Sequence, residues 1–122
     1  SDNESIDQQI LLAKRYIEEN DTENIYKYFC IIVKKGSYKV PLNYSIYLYK
    51  NKFYKQAFKY FTILSTVNHP IALFFIGVMK FRGEGCQKDE KEAYRILKHL
   101  SRNGIERATD FLNEYFDFNN FK

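Results

Sequence analysis

Residues that interrupt helices or cross-link small scaffolds are scarce in this sequence. Its 122 residues include no tryptophan, two prolines, five glycines and two cysteines. Cys30 and Cys86 lie far apart, belong to no Cys-x-x-Cys pair and have no histidine at metal-ligand spacing. A disulfide-rich scaffold is therefore excluded, and the sequence gives no sign of a metal site. Two reduced thiols favour an intracellular protein, without choosing among cytoplasm, nucleus and mitochondria.

Long apolar runs are absent as well. The longest, residues 71–79, is interrupted by Gly77 and is much shorter than the roughly 20 apolar residues that a membrane-spanning helix needs. We therefore predict no insertion into a membrane.

Acidic residues are missing from the middle of the chain. Residues 24–83 contain no aspartate or glutamate but ten cations. Acidic residues outnumber basic ones in residues 1–23, and the two signs are nearly balanced in residues 84–122. The ten cations are Lys27, Lys34, Lys35, Lys39, Lys50, Lys52, Lys55, Lys59, Lys80 and Arg82. The folded chain should therefore present a positive surface, which suits an acidic partner.

No group of residues indicates catalysis or cofactor binding. Gly83 and Gly85 form a Gly-x-Gly turn, but it follows a predicted helix and lacks the Lys-Ser/Thr continuation of a phosphate-binding loop. His69 precedes a proline and fits a turn, and His99 has no acidic or cysteine partner four residues away. No nucleophile has a base at a suitable spacing. We predict a protein that is not an enzyme and that needs no cofactor or metal.

The apolar pattern predicts helices throughout. Apolar residues recur every three or four positions, and no strand-like alternation is sustained. Caps, prolines and glycines divide the chain into seven helices. The third has Pro41 in its first turn and ends at about Lys50, and the others lie at about 4–18, 22–35, 53–66, 70–81, 89–102 and 105–118. Asp89 and Glu92 have the spacing of a capping box. Cys30 lies among apolar residues, and we predict that it is buried and inert.

Small residues reveal an internal repeat. Ala57 and Ala93 are 36 residues apart, as are Ala72 and Ala108. A period of this length is typical of stacked helical hairpins. We predict one all-α domain over 1–122, with hairpins at about 4–36, 37–68 and 69–104 and a capping helix at 105–118.

One stretch of the chain resembles a Sel-1-like repeat. The matching positions are Ala72, Gly77, Gly83, Gly85, Asp89, Ala93, Gly104, Ala108 and Leu112. Departures from that pattern are Cys86, where valine is usual, and Lys80 and Ile96, where aromatic residues are common. The preceding hairpin resembles a tetratricopeptide repeat at Tyr54, Ala57, Phe61, Leu64 and Pro70, with Ser45 at the small position of its first helix.

This resemblance implies a right-handed α-α superhelix whose first helices line a concave face. Families of this type usually bind peptides or act as scaffolds for complexes. The residues that would face the groove are Arg15, Lys39, Asn43, Tyr47, Lys50, Phe74, Val78 and Phe81. For the last three of these, an alternative is that the seventh helix covers them.

The aromatic content supports a binding surface. Fifteen aromatic residues between positions 26 and 81 are interleaved with the cations. Tyr38, Tyr44, Tyr47, Tyr49 and Tyr54 cannot all point inward, so some should be exposed beside lysines. We predict a protein-binding adaptor for an acidic or amphipathic segment. The alternatives are a single-stranded RNA-binding repeat domain and a structural subunit with a permanent aromatic interface.

Overall fold

Seven α-helices and no strand make up residues 4–116, the part of the chain that this computed structural model describes. The helices are α1 (Ile6–Glu18), α2 (Thr22–Lys34), α3 (Lys39–Lys50), α4 (Tyr54–Ser65), α5 (Pro70–Arg82), α6 (Glu90–Arg102) and α7 (Glu106–Tyr115). The all-α class is confirmed. The predicted end of the capping helix at residue 118 lies outside the described residues.

Pro41 lies in the first turn of α3, as predicted, and occupies the third position of the helix. The first N–H groups of a helix have no partner within it, so a proline is accepted anywhere in the first turn.

The capping box predicted at α6 is half formed. The Asp89 side chain accepts a hydrogen bond from the Glu92 N–H at 3.0 Å. The Glu92 carboxylate, however, binds the Arg95 guanidinium, and the Asp89 N–H donates to the Lys80 carbonyl at 2.8 Å. The start of α6 is thereby attached to the end of α5.

Helices that are neighbours along the chain pack against one another. The pairs are α1 with α2, α3 with α4 and α5 with α6, and α7 packs on α6. Between pairs, α1 contacts α3, α2 contacts α4, and α4 contacts α5.

The repeated small residues lie in the core. All four are completely buried: Ala57, Ala72, Ala93 and Ala108. A side chain added at Gly77 would place its Cβ 2.9 Å from Leu97 Cγ, so the glycine allows α5 and α6 to pack closely. Ser45, the small residue of α3, is also fully buried, and its hydroxyl donates to the Pro41 carbonyl at 2.8 Å.

A polar cluster joins the second hairpin to the third. The Tyr49 hydroxyl donates to Glu84 Oε1 at 2.7 Å and accepts from Arg82 Nη1 at 3.2 Å. Burial, followed by the hydrogen bond to Glu84, raises the pKa of Tyr49 to about 12. The end of α3 is thus attached to the glycine turn that follows α5.

Candidate functional site

Four predicted site residues form a continuous exposed line along α3, which we name the α3 stripe: Lys39, Asn43, Tyr47 and Lys50. Their spacing of four, four and three residues places them on one helix face, and all four are exposed. The opposite face of α3 buries Pro41, Ser45 and Leu48. The α3 stripe is therefore the face of α3 that points away from the core.

A cleft of about 540 Å³ opens beside this stripe, and we name it the α1–α3 cleft. It is lined by Ile17, Asn20, Tyr44, Tyr47, Leu48, Phe53 and Gln56. Tyr47 belongs to both the stripe and the cleft, and its side chain is 57% exposed. The Tyr44 ring lies nearly parallel to it, with centroids 6.2 Å apart, and so supports the exposed ring from within the cleft.

The turn after α3 determines the position of Phe53. Lys52 has a left-handed φ of +67°, the Phe53 N–H donates to the Leu48 carbonyl at 2.9 Å, and the Lys52 N–H donates to Tyr49 at 3.0 Å. This is a Schellman motif, which brings the residue after the turn against the last turn of the helix. Phe53 is consequently held beside Leu48 at the cleft, while 55% of it stays exposed.

Charges of opposite sign flank the two ends of the cleft. Lys50, Lys52 and Lys55 are exposed around the α3–α4 turn, and Lys52 and Lys55 are next in sequence to Phe53 and Gln56, which line the cleft. Within residues 4–116, none of these lysines forms an ion pair with an acidic side chain. Glu18 and Glu19 are exposed at the other end, beside Ile17 and Asn20. The positive end is formed by α3 and α4, and the negative end by α1.

Arg15 stands apart from the other predicted residues. It is exposed on α1, but it does not line the α1–α3 cleft. The structure therefore brings together Tyr47 and the neighbouring α3 residues, and it does not bring Arg15 to them.

The predicted groove residues of the third hairpin are covered by α7. Phe81 contacts Phe111 and Phe116, with ring centroids 5.5 Å and 4.8 Å apart, and Phe74 contacts Phe111 at 6.3 Å. Val78 is only 5% exposed. The rings of Phe74 and Phe81 therefore pack against α7 and the residue after it, as the alternative expected, and Val78 is buried. A role of these three residues in partner binding stays a prediction.

Fewer tyrosines are exposed than the sequence led us to expect. Of the five tyrosines in question, only Tyr47 is exposed, and the other four are half-buried against the core: Tyr38, Tyr44, Tyr49 and Tyr54. Tyr26, which the sequence did not single out, is 40% exposed on α2.

The prediction that Cys30 is buried was wrong. The core face of α2 is formed by Ile25, Phe29, Ile32 and Val33, and Cys30 lies outside it and is exposed. Partial burial of its sulfur nevertheless raises the pKa of the Cys30 thiol. The spacing of the apolar residues on α2 could have shown this, because position 30 interrupts the three-and-four pattern.

In residues 4–116 no cluster of three or more histidine, cysteine or acidic side chains could hold a metal ion. None of the helices there has the length and apolar character required to cross a membrane.

Comparison of the chain with models of protein families, with curated proteins and with solved structures finds no match. The resemblance to Sel-1-like and tetratricopeptide repeats stays a prediction from the sequence.

Proposed function

We propose that this chain is a non-catalytic adaptor or scaffold module whose α3 stripe and α1–α3 cleft bind an acidic or amphipathic segment of a partner protein within a larger complex. The observation that carries the proposal is Tyr47, which is exposed, lies on the stripe and lines the cleft. Tyrosine supplies a large apolar contact area and a polar tip with few rotatable bonds, which is why it is enriched at protein interfaces.

The charges around Tyr47 indicate what the partner carries. Lys39 and Lys50 are exposed on the same stripe, and within the described part of the chain neither is paired with an acidic side chain. Lysines around an apolar anchor attract acidic side chains and mainly speed the encounter. A segment with an apolar side chain in the cleft and acidic residues beside the stripe fits this arrangement.

The sequence resemblance supports the same function. Proteins with Sel-1-like or tetratricopeptide repeats usually bind peptides or assemble complexes, and the buried alanines and the Gly77 contact agree with the packing that such repeats need. A right-handed superhelix with a concave face lined by the first helices is part of this proposal.

Site-specific crosslinking in an extract of the source cells tests the proposal. Asn43, exposed between Lys39 and Tyr47, is replaced by a photo-crosslinking phenylalanine, and Lys91, exposed on α6, is replaced in the same way as the control. We expect one protein to be crosslinked from position 43 and not from position 91, in nuclease-treated extract. Adding Tyr47→Ala and Lys50→Glu should abolish that crosslink.

Two other results would identify the alternatives. Crosslinks from position 43 that disappear with nuclease would favour a single-stranded RNA-binding domain. Crosslinks from position 43 to other copies of the chain, with self-association of the purified protein, would favour a structural subunit. Equal crosslinking from positions 43 and 91 would contradict a binding role for the α3 stripe.

A further inference from the structure

A second groove lies between α2 and α4, and we name it the α2–α4 groove. It has a volume of about 360 Å³ and is lined by Tyr26, Cys30, Lys34, Thr62, Ile63, Thr66 and Val67. A hollow of about 520 Å³, lined by Cys30, Ile31, Lys34 and Lys35, adjoins it through the shared Cys30 and Lys34. The α2–α4 groove shares no lining residue with the α1–α3 cleft.

The charge along this groove is almost entirely positive. Lys34 and Lys59 are exposed there, and the Lys59 ammonium lies 4.8 Å from the centroid of the Tyr26 ring. Helix α4 has no acidic residue, and the one acidic side chain of α2 is Glu23 in its first turn. Among residues 4–116, no acidic side chain forms an ion pair with either lysine.

The floor of the groove is apolar, although two threonines line it. The Thr62 hydroxyl donates to the Phe58 carbonyl at 2.7 Å, and the Thr66 hydroxyl donates to the Ile63 carbonyl at 2.6 Å. Because both hydroxyl protons are donated to carbonyl groups of α4, they are not available to a ligand. Val67 is 37% exposed and Tyr26 is 40% exposed, so apolar area is open to solvent.

We infer that the α2–α4 groove is a protein-binding site, which takes an acidic amphipathic segment. Apolar area with a rim of cations is complementary to a segment whose apolar side chains alternate with carboxylates. A nucleic acid fits less well, because base stacking needs a free ring face and Lys59 lies over the Tyr26 ring. The inference concerns a surface separate from the α1–α3 cleft and stands independently of the function proposed for it.

Cys30 provides a direct test of the groove. In a Cys86→Ser variant it is the single thiol of the chain, and alkylation with N-ethylmaleimide would place a bulky group in the groove. A phage library of random 16-residue peptides is selected on the free-thiol protein and on the alkylated protein, whose circular dichroism must be unchanged. We expect peptides that bind only the free-thiol protein, with net negative charge and apolar residues at regular spacing.

Affinities of the most enriched peptide, measured by fluorescence anisotropy, then locate the site. Lys34→Glu and Lys59→Glu should each weaken binding about tenfold, since each reverses a charge at the rim. Lys91→Glu is the matched control for charge, and Tyr47→Ala separates this groove from the α1–α3 cleft. Both of these variants should leave the affinity unchanged.

Several results would overturn the inference. The inference is wrong if no peptide binds the free-thiol protein in preference to the alkylated one, or if the peptides that do so lack acidic character. Loss of peptide binding in Tyr47→Ala would overturn it as well. A 12-residue oligouridylate is the probe for nucleic acid. If it slows alkylation of Cys30 while the enriched peptides do not, the groove is a nucleic-acid surface and the inference is wrong.

Discussion

Gly85 occupies a position where any side chain would collide with backbone. Its φ is +71°, and an added Cβ would overlap the Tyr54 carbonyl oxygen and lie 2.9 Å from the Lys55 nitrogen. Gly85→Ala should therefore lower the free energy of unfolding by about 3 kcal/mol, through the left-handed backbone and the collision together. Urea denaturation followed by circular dichroism measures this loss.

Gly36 is the matched control for that change. Its φ is +94°, but an added Cβ would have no neighbour within 4 Å. Gly36→Ala should cost only the backbone strain, about 1 kcal/mol. Equal losses at Gly85 and Gly36 would show that the contact with α4 does not decide the stability of the glycine turn.

Lys52 adopts a conformation that suits glycine better. It has a φ of +67° at the left-handed position of the Schellman motif that ends α3. Lys52→Gly should raise the free energy of unfolding by about 0.5 to 1 kcal/mol, because glycine removes the strain of a Cβ at positive φ. Chemical denaturation measures the gain.

Lys52→Ala separates strain from charge in that experiment. It removes the same positive charge but keeps a Cβ at positive φ, so it should give no gain. If alanine stabilises as much as glycine, relief of repulsion among Lys50, Lys52 and Lys55 is the cause instead.

The α3 stripe could be predicted at residue scale, whereas the cleft could not. The spacing of Lys39, Asn43, Tyr47 and Lys50 is fixed by the helix period, so their shared face followed from the sequence. The position of Phe53 depends on a lysine in a left-handed conformation, which residue preferences disfavour. Local propensity therefore did not show that Phe53 would reach the cleft.

At the scale of elements, helix ends were easier to predict than helix starts. Asn20, Gly36 and Gly104 all adopt positive φ directly after helices, as their residue types indicated. At the start of a helix, more than one nearby side chain can accept a hydrogen bond from the unpaired N–H groups, so the capping residue is harder to predict. A complete capping box forms at Ser5 and Gln8, which had not been predicted, and that at α6 is half formed.

Tyr49 links helix stability to pH. The pKa of Tyr49 in the folded protein is raised from its ordinary value of 10.0 to about 12, since burial and the hydrogen bond to Glu84 favour the neutral phenol. The stabilisation is fully present below pH 10 and is lost as pH rises from 10 towards 12. Denaturation between pH 9 and 12 should show this loss, and Tyr49→Phe should reduce it.

Tyr60 is needed as a comparison, because burial also raises its pKa to about 12. Tyr60→Phe should likewise reduce the loss above pH 10. At pH 7, however, only Tyr49→Phe should cost about 1 to 2 kcal/mol, because it leaves Glu84 and Arg82 without their shared partner. Equal stability of Tyr49→Phe and the parent protein at pH 7 would contradict a stabilising role for the cluster.

At the scale of the whole molecule, the packing of α7 decides whether the aromatic rings of α5 are exposed. The repeat in the sequence predicted hairpins and a capping helix, but it did not reveal which residues α7 would cover. That outcome depends on ring contacts from Phe111 and Phe116 to α5, which are remote in sequence.

The covering role of α7 is testable at Phe111, whose ring contacts Phe74 and Phe81 and lies 5.6 Å from the Arg82 guanidinium. Phe111 is 8% exposed. Phe111→Ala should lower the free energy of unfolding by about 3 kcal/mol and increase binding of the dye ANS, because the α5 rings are uncovered.

Phe53→Ala is the control that distinguishes a core ring from a binding ring. Phe53 is 55% exposed, so its removal should cost less than about 1 kcal/mol and leave dye binding unchanged. Terminal helices of stacked repeats protect the apolar face of the preceding repeat. If Phe111→Ala were as mild as Phe53→Ala, α7 would not act as such a cap, and the α5 face would return as a candidate for partner binding.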